Sequence, residues 1–150
     1  MLLNYKKEDF KFYKEFDVHF DECDLEGIVH NSNYIKYFER GRVAYFKNLG
    51  LSWSKQDLGE DFFVVVGENY CKYKATATCP NTLRIYVRIG QLKSKTCRFE
   101  YVIHRPQDDK LICEGYTTII RVNEEFSKAT TFTEKYEKLI EDFEKFKSCN

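Results

Sequence analysis

Asp24-Leu25-Glu26-Gly27-Ile28-Val29-His30-Asn31-Ser32-Asn33-Tyr34 is the stretch on which the fold of this chain turns. It sets a carboxylate, a glycine turn and a polar run directly ahead of a strongly apolar helix. A helix N-terminus presents unpaired backbone N–H groups and the positive end of the macrodipole, so it can hold developing negative charge. A carboxylate a few residues upstream can act on whatever carbonyl those groups polarise. That is the minimal equipment for acyl transfer.

Upstream, Phe16, Val18 and Phe20 alternate with Asp17 and His19, the period of a half-buried strand. Downstream, the spacing predicts a helix from about Asn33 to Asn48, stopped by Gly50. Tyr34, Phe38, Gly41, Tyr45 and Leu49 share one face of it, flanked by Tyr37, Ala44, Ile35 and Phe46. The polar stripe of Lys36, Glu39, Arg40 and Lys47 is narrow, so this helix is wrapped on most sides. Gly41 costs helix propensity but lets a neighbour approach closely.

The rest reads as strands. Phe62 to Val66 is a β-branched run, Tyr70 to Thr78 continues extended, and Leu83, Ile85, Val87 and Ile89 alternate after a turn at Pro80-Asn81. Thr96 to His104 meets Leu111 to Val122 across a tight turn, as an antiparallel hairpin. Thr131 with Glu134 suits a capping box for a last helix carrying Tyr136, Leu139, Ile140, Phe143 and Phe146. One buried helix and a run of antiparallel strands imply an α+β domain over residues 1–150, its sheet curled round the helix. The edges of such a sheet favour a homo-oligomer.

Composition narrows the function classes. At 150 residues the chain is long enough for one core. A net charge of +0 gives no bulk attraction to nucleic acid or anionic membrane. Aromatic residues reach 17%, enough to fill a core and line an apolar pocket as well. No stretch approaches the roughly 20 apolar residues of a membrane span, and the N-terminal stretch lacks a signal-type apolar run. The six cysteines (Cys23, Cys71, Cys79, Cys97, Cys113, Cys149) show no CxxC pair and no zinc spacing. They read as reduced thiols of a cytoplasmic protein. Neither a nucleophile elbow nor a phosphate-binding glycine loop is present.

Phe20, Cys23-Asp24, Gly27-Ile28-Val29, Asn33-Tyr34, Phe38-Glu39, Arg42, Tyr45 and Leu49-Gly50-Leu51 together resemble the hotdog-fold acyl-CoA thioesterases of the 4-hydroxybenzoyl-CoA thioesterase type. The resemblance runs from about Phe12 to Phe146. It implies a long central helix wrapped by a curved antiparallel sheet, with a C-terminal helix added. It implies that Asp24 is the catalytic carboxylate and that the Asn31 backbone N–H binds the thioester oxygen. Tyr34 becomes a substrate-binding residue at the head of the helix, and Lys93 and Lys95 fall where relatives contact the nucleotide phosphates. No metal or redox cofactor is implied, since coenzyme A is part of the substrate. The implied partners are an acyl-CoA, or an acyl-carrier protein bearing the same thioester, and a second copy of the chain in a homodimer or homotetramer.

Each of these residues also has a plainer explanation. Asp24 can close an Asx turn, and Asn31 can cap the helix. His30 belongs to a residue type that titrates near working pH, which makes it a candidate for the site. Many relatives place a histidine one position later, where this chain has Asn31. Glu39 is a rival carboxylate, which the helix spacing pairs with Arg42 or Arg40. Asp24 is left open as general base or as nucleophile. Two other functions fit a hotdog chain: an acyl-CoA or acyl-carrier-protein binding module without turnover, and a hydratase of enoyl thioesters.

Overall fold

Leu83, Ile85, Val87 and Ile89 form the buried face of a long strand, each no more than 1% exposed, as their alternation requires. The structure is a computed structural model and describes residues 3–146. In chain order its elements are β1 (Phe12–Asp17), α1 (Ser32–Asn48), α2 (Lys55–Leu58), β2 (Val64–Tyr73), β3 (Thr82–Leu92), β4 (Thr96–Arg105), β5 (Lys110–Arg121) and α3 (Glu134–Glu144). The strands make one antiparallel sheet in the order β1-β3-β4-β5-β2. This is the hotdog architecture, an α+β fold in which the sheet curls around α1.

Tyr34, Tyr37, Phe38, Tyr45 and Phe46 bury the inner face of α1. Fully burying one such ring contributes about 1.5–3 kcal/mol, so this helix anchors the core. Phe38 stacks on Tyr101 of β4 with ring centroids 4.1 Å apart. The sheet comes so close at Gly41 that an added Cβ would stand 2.9 Å from Ile85 Cδ1 and 3.0 Å from Val87 Cγ2. That close approach is what the helical glycine makes possible.

Three local expectations change. The first strand ends at Asp17, because Phe20–Glu22 turn into a short 3-10 segment. There the Glu22 carboxylate accepts the His19 amide at 2.7 Å, and Phe20 is left 86% exposed. The two extended stretches before Pro80 join into the single strand β2, with a register shift between Val66 and Glu68. Thr133 replaces Thr131 as the cap of α3, accepting the Tyr136 amide at 3.3 Å. Thr133 is itself held by the Asp61 carboxylate.

The helix α3 closes one end of the barrel. Its Glu144 accepts the Tyr45 hydroxyl at 2.6 Å and the Ile89 amide at 3.0 Å, satisfying two groups where β3 bulges. Cys23, Cys71, Cys79, Cys97 and Cys113 are free thiols, and Cys149 lies outside the described residues. Among the described residues no helix is long and apolar enough to cross a membrane.

Candidate active site

The loop that carries Asp24 is built from backbone bonds. The Asp24 amide donates to the Ile28 carbonyl at 2.8 Å, and the Gly27 amide donates back to the Asp24 carbonyl at 3.0 Å. Gly27 sits at φ +81°, a conformation that a Cβ disfavours. Val29 then donates to Ala77 at 2.8 Å, which ties the loop to the chain entering β3. Inside this turn one Asp24 oxygen, Oδ1, accepts the Glu26 amide at 2.9 Å. No further bond to the carboxylate is found among the described residues. The Asx turn is therefore real, and it orients the carboxylate while leaving its second oxygen available.

At the entrance to α1 the cap moves one residue upstream. Asn31 already has helical dihedrals, φ −54° and ψ −34°, and its side chain caps nothing. His30 takes that role: its Nδ1 accepts the Ser32 amide at 3.2 Å and lies 2.8 Å from the Ser32 hydroxyl oxygen. The His30 amide is spent on the Glu22 carbonyl at 2.9 Å. Among the described residues the Asn31 amide makes no hydrogen bond, so it is the free donor at this helix entrance.

Asp24, Ile28, Asn31, Tyr34, Tyr73 and Thr76 line one cleft of about 200 Å³. The Tyr34 ring is buried in its wall, edge-on to Tyr73 with centroids 5.3 Å apart. The Tyr73 hydroxyl donates to the Asn31 carbonyl at 3.1 Å. Burial first, then the Cys71 thiol, pushes the Tyr73 phenol up to about 12, so it stays protonated and keeps donating. Burial also pushes the Tyr34 hydroxyl above the usual phenol range. A wider, open cleft of about 610 Å³ lies on the other flank of Asp24, between Phe20, Leu25 and Cys79.

Other expected residues lie elsewhere. Lys93 and Lys95 are exposed in the turn between β3 and β4. The 11 residues of β3 separate them from the Asp24 end, a span of about 35 Å. Within one protomer they do not meet the carboxylate. Glu39 pairs with neither helical arginine: Arg40 reaches Glu22 at 3.2 Å, while Arg42 donates to Tyr101 and Thr117 at 2.9 and 3.1 Å. Glu39 opens onto a separate cleft with Val43 and Trp53, about 12 Å along the helix from Asn31.

A cavity of about 550 Å³ near Lys55 and Arg121 is larger than the Asp24–Asn31 cleft but chemically quieter. Its cations are paired, Lys55 with Glu124 at 2.7 Å and Arg121 with Glu60 at 3.2 Å. Among the described residues no group of three or more His, Cys, Asp or Glu is placed to hold a metal ion.

The sequence marked Asn33 within the loop-and-helix motif without giving it a role, and did not single out Glu22. Glu22 and Asn33 hold the loop against the helix, and Tyr73 holds the helix entrance. For Tyr73 the signal was the alternation Asn69, Cys71, Tyr73, which puts all three on the same face of β2.

A curled antiparallel sheet around a central helix defines a hotdog fold. The chain belongs to the thioesterase-like superfamily, whose sequence profile matches residues 18–139. A protein of Aquifex aeolicus (strain VF5) is 34% identical over 89 residues, covering 59% of this chain and 68% of that one. The acyl-CoA thioesterase YbgC of Haemophilus influenzae is 28% identical over 93 residues, covering 59% of this chain and 65% of its own. Among solved structures, a thioesterase from Thermus thermophilus complexed with coenzyme A and Zn superposes with a TM-score of 0.78 at 20% identity. That match covers 93% of this chain and 98% of the other.

Proposed function

We propose that this protein hydrolyses an acyl-CoA thioester to the free acid and coenzyme A, with Asp24 and the Asn31 amide as its working groups. The observation that carries this is their shared cleft, which brings one oriented carboxylate and one unspent helix-entrance amide together. Asp24 takes a proton from water as the water oxygen bonds to the thioester carbon. The carbonyl oxygen becomes an oxyanion and accepts from the Asn31 N–H. Collapse of that intermediate breaks the C–S bond, and the departing thiolate takes the proton from Asp24, giving the free acid and coenzyme A and restoring the carboxylate. Direct attack by Asp24, through a mixed anhydride that water then opens, uses the same two groups. His30 serves the site as the cap that holds the entrance open, and Tyr34 as the wall of the acyl cleft. No metal or redox group takes part in the reaction so written.

The lysines join this scheme through a homodimer. β2 pairs with β5 along one side only, so among the described residues its outer edge has no partner strand, and Val65, Val66 and Tyr73 on it are exposed. Antiparallel pairing of two copies of β2 sets the Tyr73 end of one beside the Val64 end of the other. Two strands in from that end lie Lys93 and Lys95, which then approach the Asp24 cleft of the other copy and meet the nucleotide phosphates.

The test is thiol release from acetyl-, palmitoyl- and benzoyl-CoA by wild type and Asp24→Asn. Turnover by wild type that falls at least about 100-fold in a folded Asp24→Asn supports the assignment. Equal rates for the two proteins would move the chemistry to Glu39. Tight binding by wild type without thiol release would leave a ligand-binding module.

A further inference from the structure

Asp24 and Asn31 belong to different pieces of the chain, a turn and a helix, and neither touches the other directly. The link between them is Glu22, two residues before Asp24 and 6% exposed. Its carbonyl accepts twice from the helix entrance, from the His30 amide at 2.9 Å and from the Asn33 side-chain amide at 2.7 Å. Its carboxylate accepts the His19 amide at 2.7 Å and pairs with Arg40 at 3.2 Å, two turns along α1. Asn33 is itself 8% exposed, a buried amide on the first turn of the helix. A buried polar side chain is retained only where its bonds are made, and the acceptor here is the chain that leads into Asp24.

We infer that Asn33 is a positioning residue for the reaction: by gripping the Glu22 carbonyl it sets where the Asp24 carboxylate stands relative to the Asn31 amide. The inference rests on the roles given to Asp24 and Asn31 above. Asn33 touches no substrate. It sits two residues beyond the oxyanion donor on a rigid turn, so a shift of the Glu22 carbonyl is a shift of Asp24 against that donor. Arg40 grips the same residue by its side chain and supports the same alignment. Misplacement of a reacting group by about 1 Å costs on the order of 100-fold in rate. The loss falls on kcat, because the aligned geometry matters most when the oxyanion forms.

Asn33→Ala removes the donor, and Asn33→Asp makes it conditional. In Asn33→Asp the ionised carboxylate faces the Glu22 carbonyl with no proton to give, whereas the acid form donates an O–H. Asn33 bonds the Glu22 carbonyl, and the charged or titratable groups gathered on Glu22 are its own carboxylate, Arg40 and the Tyr37 phenol of the helix, with the His30 imidazole bonded to Ser32 just before Asn33. Burial and Glu22 favour the acid form, and Arg40 opposes them.

The experiment measures kcat and KM, for the fastest of the three acyl-CoA esters above, in wild type, Asn33→Ala, Asn33→Asp and Ile140→Ala. The last variant weakens the core from the α3 end of the barrel and controls for lost stability. The expected result is a kcat about 10- to 100-fold lower in Asn33→Ala with KM within about twofold, while Ile140→Ala keeps the wild-type kcat. The kcat of Asn33→Asp relative to wild type rises as pH falls from about 8 to about 5.5, as the acid form refills the bond. A wild-type kcat in folded Asn33→Ala, beside an inactive Asp24→Asn, would overturn the inference alone. A kcat ratio for Asn33→Asp that ignores pH would also overturn it. Full turnover by Asp24→Asn would instead remove the chemistry on which it rests.

Discussion

At the scale of single residues, Gly27 and His104 make the sharpest cases. Gly27 turns the loop at φ +81° with open space around it, so an added methyl group meets no neighbour and acts through the backbone alone. Gly27→Ala is expected to lose about 1–2 kcal/mol of stability in urea denaturation, and to lose kcat as well, because the Asx turn that orients Asp24 closes over it. His104 is a pH case. Burial first, then the Lys7 charge, holds its imidazole below the usual 6.5, with Asp109 and Glu8 opposing. The unfolded chain therefore takes up a proton that the folded protein resists. Stability is full above about pH 6.5 and is lost as pH falls toward the folded value. Melting curves at about pH 7.5 and pH 5.5 should show a smaller acid loss in His104→Gln than in wild type; equal losses would assign the acid sensitivity to other groups. Asp24 and Gly27 were legible in the sequence because a turn announces itself in neighbouring letters. The bonds of Glu22, Asn33 and Tyr73 were not, because each runs through a backbone carbonyl, and a carbonyl has no letter.

At the scale of elements, α1 and the strands β3 to β5 could be read almost to the residue, since a buried face repeats its spacing. The elements that moved were those whose ends depend on tertiary partners. The first strand lost Val18 to Phe20 to the Glu22 turn, and the cap of α3 moved to Thr133 because Asp61 waits there to hold it. The last helix gives an element-scale prediction. Glu144 on α3 satisfies both the buried Tyr45 hydroxyl of α1 and the Ile89 amide of β3. Glu144→Ala is expected to cost about 1–3 kcal/mol, the penalty for stranding buried donors. Combined with Tyr45→Phe, the double variant should lose less than the sum of the two single changes. Additive losses in urea titrations would show that α3 docks through its apolar face alone.

At the scale of the whole molecule, the distance between Asp24 and the Lys93–Lys95 turn is the feature that asks for a second copy. Val66→Lys places a charge on the exposed edge of β2, where pairing of two copies would bury it. The variant is expected to sediment as a monomer and to lose turnover, although Asp24 and Asn31 are untouched. Mixing Asp24→Asn with a Lys93→Ala, Lys95→Ala protein offers a complementary check. Subunit exchange should restore part of the activity in the mixed dimers, because one of their two clefts has both an intact Asp24 and intact lysines. No restoration would confine the lysines to the surface. The sequence points to an oligomer through the open sheet edge, and the exchange experiment reads which groups would meet across it, since register between copies is written in neither chain separately.

The grip on Glu22 has a consequence for how such a loop can change over generations. Asn33 and the His30 amide hold a main-chain oxygen, which every amino acid supplies alike whatever its side chain. Leu25 and Glu26, at the tip just beyond, are exposed to solvent and carry no part of that hold. The side chains of the tip are thus free to change without touching the bonds that hold Glu22 to the helix entrance. Replacement of both tip residues in a combinatorial library should yield mostly folded, active proteins.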